Sequence, residues 1–214
     1  MAILMNRVFL SLAGLFAALM LMLFSILTVF SEPVTTPQQS AEPAPLQTVD
    51  QVDLKRYMGT WYEIASMPMF FQRRCVGNTR AEYTLLDSGE VKVLNSCETR
   101  LGTRQSAEGR AKPVVGSHYA RLKVTFLNFF GWRYFAGGDY WVIDLAGDYR
   151  YAVVGHPNRE YGWILSRTPA MAPADLKTVT DRLKAQGYDL CAFNVTPQNG
   201  GSKQSRRLCD VVAD

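Results

Sequence analysis

Histidine is almost missing from this chain. Its 214 residues hold two, His118 and His156, far apart in sequence, and four cysteines with no Cys-x-x-Cys pair among them. A dedicated metal site needs several such ligands at close spacing, so none is expected. Neither a Ser/His/Asp order nor a paired-carboxylate motif appears, which argues against a ready-made hydrolytic centre. Charge of one sign is scarce as well: 23 Lys and Arg against 19 Asp and Glu leave a net charge of +4, with bases and acids interleaved. There is no basic stripe to follow a phosphate backbone, so no nucleic-acid partner is expected, and at most a weak preference for an anionic lipid surface remains. Helical periodicity is missing from the whole middle of the chain. Parallel strands need crossover helices, so a parallel sheet is excluded.

What is present begins with one long apolar run. From Val8 to Phe30 only Ser11, Gly14, Ser25 and Thr28 interrupt it, and Arg7 is the charge that precedes it. That length spans a bilayer as one helix, and a base on the N-terminal side keeps the short leader in the cytoplasm and exports the rest. Residues 1–30 therefore read as a signal anchor in the membrane, with a removed signal peptide as the alternative, for which Ser31 or Ala41 offers a cleavage position. No cysteine follows the run, which argues against a lipid-modified anchor. Residues 31–49 change to Pro, Thr, Gln, Ser and Ala, with Pro33, Pro37, Pro43 and Pro45 opposing regular structure. They read as a disordered linker between membrane and domain.

Residues 50–197 carry short strands at regular spacing, expected near Thr60–Met67, Thr79–Leu86, Val91–Thr99, Arg104–Lys112, Tyr119–Leu127, Asp139–Leu145, Tyr149–Gly155 and Tyr161–Arg167. Alternation is clearest in Ala81-Glu82-Tyr83-Thr84-Leu85 and Val91-Lys92-Val93-Leu94-Asn95, and Asp87-Ser88-Gly89-Glu90 between them is a hairpin turn. Eight strands joined by short loops form an antiparallel up-and-down meander. The aromatic strand Gly59–Ala65 and the arginine-bearing strand Trp163–Arg167 stand at its two ends, where closure into a barrel would place them side by side. The period then switches to about three and a half. Pro173 opens a helix, Leu176, Val179 and Leu183 make its apolar face, and Gly187 closes it, so the barrel wall is the surface it must cover. Phe193 and Val195 suggest a short final strand, and residues 198–214 read as a polar tail.

Three segments in order, Gly59-Thr60-Trp61 after Tyr57, Asp148-Tyr149-Arg150-Tyr151, and Ile164-Leu165-Ser166-Arg167-Thr168-Pro169, resemble the signature regions of the lipocalins. The likeness is greatest to the bacterial outer-membrane type and to apolipoprotein D, and it covers about Leu54 to Val195. The middle segment departs from the pattern, with Ala146-Gly147 where the family usually has an acidic residue. The resemblance implies an all-β, eight-stranded barrel with one C-terminal helix. It further implies that Trp61 fills the closed end with Arg167 across its indole, and that Tyr83, Asn95, Tyr140 and Trp163 line a ligand pocket. Without the family, ordinary barrel core is the plainer reading of those four. The implied partner is a small hydrophobic ligand, a fatty acid or lysophospholipid, with no cofactor, carried in the bacterial cell envelope.

Around that pocket two other features stand out. Arg73, Arg74, Arg100, Arg104 and Arg110 fall on or near loops and strand ends, where solvated charge and an anion-attracting rim are the competing readings. Phe126–Phe135 concentrates Phe129, Phe130, Trp132 and Phe135 around Gly131, as a lid, a membrane-touching patch or a homodimer face if exposed, and as core if folded inward. The even set Cys75, Cys97, Cys191 and Cys209 in an exported domain favours disulfides. We expect Cys75–Cys97 across neighbouring strands and Cys191–Cys209 in the tail; apolipoprotein D implies Cys75–Cys209 with Cys97–Cys191 instead. Two other function classes compete with the carrier. A lipocalin-fold enzyme acting on a lipid or isoprenoid would need Cys75 or Cys97 as a free, acidified thiol, and a haem carrier would need His118 or His156 facing inward.

Overall fold

The computed structural model describes residues 44–213. The expected membrane helix over 1–30 and the linker as far as residue 43 lie outside the described residues. Among the described residues no helix is long and apolar enough to cross a membrane.

Nine strands follow one another as β1 (Gly59–Ser66), β2 (Cys75–Leu85), β3 (Val91–Thr99), β4 (Arg104–Pro113), β5 (Arg121–Thr125), β6 (Gly138–Leu145), β7 (Tyr151–Gly155), β8 (Gly162–Ser166) and β9 (Asn194–Val195). The first eight pair antiparallel in sequence order, and β1 closes the ring by pairing with both β2 and β8. Along one edge of β1, residues 59–62 face β2 and residues 65–66 face β9, so the final strand fills the gap where β2 peels away. The expected eight-stranded barrel is therefore present, and its ends differ. Connections β1–β2, β3–β4, β5–β6 and β7–β8 gather at one end, while the tight turn at residues 86–90 and the β4–β5 and β6–β7 turns gather at the other.

Period-two alternation divides the apolar residues between two cores. Val142, Ala152, Val154 and Leu165 point into the barrel with Trp61, Tyr57 and Tyr83. Their neighbours Ile143, Val153 and Ile164 point outward, against helix α2 (Pro173–Ala185) through Val179 and Leu183. A helix with one apolar face needs such a wall, and the sheet supplies it. Gly162 is required at this contact: a Cβ there would lie 2.9 Å from the Phe193 ring, which is fully buried beneath the helix.

Several expectations need correction. The fifth and seventh strands start later than the pattern suggests, because Tyr119 and Tyr149 hold φ of 63° and 66° in turns that a strand cannot contain. A short helix, α1 (Leu54–Tyr57), precedes β1 and is capped by Asp53, whose carboxylate accepts from Lys55 and Arg56 N–H. The end of the linker is not a free tether: Leu46 is buried in the outer core, and Val49 N–H donates to Val142 O at 2.9 Å. Gln186 holds it too, its side-chain amide accepting from Gln47 N–H and donating to Gln47 O, both at 3.0 Å. The tail also docks, through helix α3 (Leu208–Val211), with Leu208 fully buried. Disulfides join Cys75 to Cys97 and Cys191 to Cys209, the pairing expected from neighbouring strands and tail, and not the one implied by apolipoprotein D.

Candidate ligand-binding site

A cavity of about 640 Å³ occupies the barrel interior and opens at the end where the longer loops gather. Its walls come from inward-facing positions of the strands. Tyr83 on β2, Asn95 on β3, Tyr140 on β6 and Trp163 on β8 all face it, so the four residues assigned to the pocket by resemblance are brought together. Small side chains at Ala81, Ala107 and Ala111 keep the lumen wide. Apolar surface dominates the lining.

The closed end is sealed by Trp61, which is 0% exposed. Its indole N–H donates to Tyr57 O at 2.8 Å, and the Arg167 guanidinium lies 3.8 Å from its ring centroid. Arg167 in turn donates to Thr60 O at 2.9 Å and Arg56 O at 2.7 Å. A partly buried cation held this way over an indole contributes about 1 kcal/mol. Both residues therefore plug the barrel; Arg167 is not a ligand anchor at the mouth. Above the plug, Tyr57 and Tyr83 stack at 5.9 Å, and Tyr83 meets Tyr140 edge-on at 6.3 Å. Burial pushes the Tyr83 phenol up to about 12 and raises Tyr57 and Tyr140 as well, so all three remain protonated donors.

Nearer the mouth sits a carboxyl that the motif reading passed over. Glu63 is buried and lines the cavity, accepting from Ser66 Oγ at 3.0 Å, Gln72 Nε2 at 2.9 Å and Thr196 Oγ1 at 2.6 Å. The signal was available, since Glu63 lies two residues after Trp61 and shares its face. It ties β1 to the mouth loop and to the segment after β9, where Gln198 completes the seam by donating to Glu63 O and Thr79 O at 2.9 and 2.7 Å. Burial holds the Glu63 carboxyl above the usual carboxylate range, and its hydrogen bonds offset this only in part. A raised folded value means the stabilising contribution is complete below the unfolded-chain pKa and is lost as pH rises through the folded one. Comparison with Glu63→Gln isolates the effect: the wild-type melting temperature is expected to fall, relative to the variant, as pH rises from acid toward neutral. Parallel melting curves over that range would contradict it.

The mouth is aromatic and basic. Phe70 is 73% exposed and Leu101 87%, and in the β5–β6 connection, part of which lies along the outer wall, Phe130 is 89% and Phe135 86% exposed. The Phe126–Phe135 stretch is therefore neither core nor a closed lid, although Phe126 and Leu127 do reach the cavity. Arg73, Arg74 and Arg100 are exposed on the same end of the barrel. Arg104 binds Ser96 Oγ at 3.0 Å near that rim, and Arg110 leaves it altogether, covering the Trp132 ring on the outer wall. Of the two histidines, His156 stacks on Tyr161 at 4.3 Å in the β7–β8 connection, and His118 lies in the β4–β5 turn at the closed end. Neither lines the cavity.

Residues 52–198 match the family model described as a lipocalin-like domain. The chain is a lipocalin. Its curated relatives include temperature-induced lipocalin-1 of Arabidopsis thaliana, 39% identical over 166 residues, which covers 77% of this lipocalin and 89% of the plant protein. The outer membrane lipoprotein Blc of Escherichia coli is 37% identical over 159 residues, 74% of this chain and 86% of that one. Mouse apolipoprotein D is 31% identical over 158 residues, covering 70% and 78%. Among solved structures, insecticyanin of the tobacco hornworm superposes with a TM-score of 0.58 at 21% identity over 75% of this lipocalin and 94% of that chain, which supports the fold alone.

Proposed function

We propose that this lipocalin binds one elongated apolar molecule, a fatty acid or lysophospholipid, in its barrel and carries it at a bacterial envelope membrane. The observation that supports the reading is the apolar cavity, whose 640 Å³ falls within the range of small-molecule sites. Burying an acyl chain against its walls yields about 0.8 kcal/mol per methylene, so no charged anchor is needed for useful affinity. Relatives named as outer membrane lipoproteins, together with two disulfides, support an exported domain, and an N-terminal anchor would hold it at the membrane. The reading is of a carrier and not an enzyme. With Cys75 and Cys97 bonded to each other at the cavity wall, the oxidised protein offers no thiolate there.

Displacement of a fluorescent fatty acid tests this reading. Trp163→Ala is expected to weaken binding about tenfold, the loss of one large apolar contact, with little change in melting temperature because the indole faces open cavity. Unchanged affinity would remove Trp163 from the site. The basic aromatic rim supports loading directly from a bilayer, with Phe70 and Phe130 entering the interface and Arg73, Arg74 and Arg100 meeting anionic headgroups at about 1 kcal/mol each. Sedimentation of the domain from Ala44 onward with phosphatidylglycerol vesicles is expected to weaken by about two orders of magnitude when all three arginines become glutamine. Equal sedimentation would contradict docking through this end.

A further inference from the structure

The floor of the cavity holds one more hydrogen-bond donor than the protein can use. Tyr57, Tyr83 and Tyr140 bring three phenolic hydroxyls together, with Tyr140 Oη 2.8 Å from Tyr57 Oη and 3.2 Å from Tyr83 Oη. Those two contacts are the hydrogen bonds that the three hydroxyls make among the described residues. Each contact consumes one proton, and three phenols carry three. One O–H is therefore left over whichever way the protons are arranged. Tyr57 and Tyr83 are at least nine-tenths buried and all three phenols line the cavity, so the remaining O–H faces whatever fills it. Unused buried donors are rare because leaving one unmet is costly.

A second observation gives the floor a sign. Arg167 lies directly beneath it, against the far face of Trp61, and its hydrogen bonds go to backbone carbonyls of Arg56, Thr60 and Tyr149, not to a carboxylate. Its charge acts on the phenols, favouring their ionised forms, as the electrostatic coupling to Tyr57 and Tyr83 records. The floor is thus a neutral donor backed by a positive charge that pairs with no carboxylate among the described residues.

We propose that this floor is an oxygen-acceptor subsite, which takes the carbonyl or carboxyl oxygen of an apolar ligand that enters oxygen-first. The inference rests on the ligand-carrying reading above and adds an orientation to it: the polar atom lies at the tyrosines and the hydrocarbon runs toward the aromatic mouth. A methyl-terminated chain end at the floor would leave the third phenol proton unmet. Other amide and hydroxyl donors line the wall, Gln72, Gln105 and Thr125 among them; Asn95 pairs with Ala81, one inward position nearer the mouth than Tyr83, so it sits above the floor.

The test uses full-length protein stripped of co-purified lipid and two probes of equal chain length, 2-hexadecanone and hexadecane, competing against a fluorescent fatty acid. The ketone is expected to bind about tenfold tighter than the hydrocarbon, and its bound carbonyl stretch is expected to shift to lower frequency. In the variant Tyr57→Phe/Tyr83→Phe/Tyr140→Phe the preference for the ketone over hexadecane and the carbonyl shift both disappear. Should the triple variant fail to fold, Tyr140→Phe alone frees two phenols from their partner, and the carbonyl frequency is expected to change from its wild-type bound value. Equal affinity of the wild type for both probes would overturn the subsite and leave the cavity reading standing. A carbonyl shift that survives the triple variant but vanishes in Asn95→Leu would assign the donor to Asn95 and overturn it too. If neither probe nor the fluorescent fatty acid binds, the carrier reading itself falls, and the subsite with it.

Discussion

Trp61→Ala is expected to lower folding stability by about 3–5 kcal/mol, the range for removing a fully buried indole from a packed core. Three losses coincide at this one position. The cavity left behind cannot collapse, because Tyr57 and Arg167 are held by their own hydrogen bonds above and below it. The cation loses the ring that it covers at 3.8 Å, and Tyr57 O loses the indole N–H. Trp61→Phe restores the packing but neither the N–H nor the full ring surface, and is expected to recover about half of the deficit. Chemical denaturation of the two variants beside the wild type checks this. A loss under about 1 kcal/mol for Trp61→Ala would show that the plug is not what closes the barrel. Trp163 provides the control, since a structural indole and a ligand-facing one should separate, one altering stability and the other affinity.

The second large effect is expected from Cys191→Ser/Cys209→Ser. Joining residues 18 apart in sequence restricts the unfolded chain by about 3 kcal/mol on the loop-entropy account. This bond also holds the tail. Leu208 is fully buried in the core beneath α2, Leu208 N–H donates to Phe193 O at 2.9 Å, and Val195 N–H donates to Arg206 O at 2.8 Å. Releasing the cross-link is expected to speed amide exchange at Val195 and Leu208 more than at Val153 in the barrel wall. Uniform exchange across all three would show that the tail is held by packing alone. On the same loop-entropy account Cys75→Ser/Cys97→Ser, which releases residues 22 apart in sequence, should cost a similar amount.

The barrel was legible in the sequence because its signals are local. Alternation in Ala81–Leu85 and Val91–Asn95, the turn around Gly89, and the change of period at Pro173 each report a nearby backbone choice. Strand starts at Tyr119 and Tyr149 were misread because an aromatic side chain favours a strand, while here the turn imposes a positive φ that only the structure reveals. The wall residues Tyr83, Asn95, Tyr140 and Trp163 came from resemblance joined to period-two reasoning. The floor trio did not, since Tyr57 lies on a helix before β1 and meets Tyr140 from 83 positions away. For Glu63 only the inward face was legible, from its place two residues after Trp61; its partners were not. Nothing nearby in sequence announces that Thr196 and Gln72 will surround it.

Leu46 and Leu208 carry the same lesson at the ends of the domain. Each sits in a segment whose composition reads as linker or tail, and each is buried in the outer core. Composition averages over such segments and cannot weigh one apolar residue. A groove between the helix and the barrel can.

Native mass spectrometry of the protein as purified, followed by organic extraction and lipid analysis, tests the central claim most directly. The account predicts one fatty acid or lysophospholipid per chain, lost on extraction and regained on adding a single equivalent. An empty barrel that also takes up no fluorescent fatty acid would contradict it.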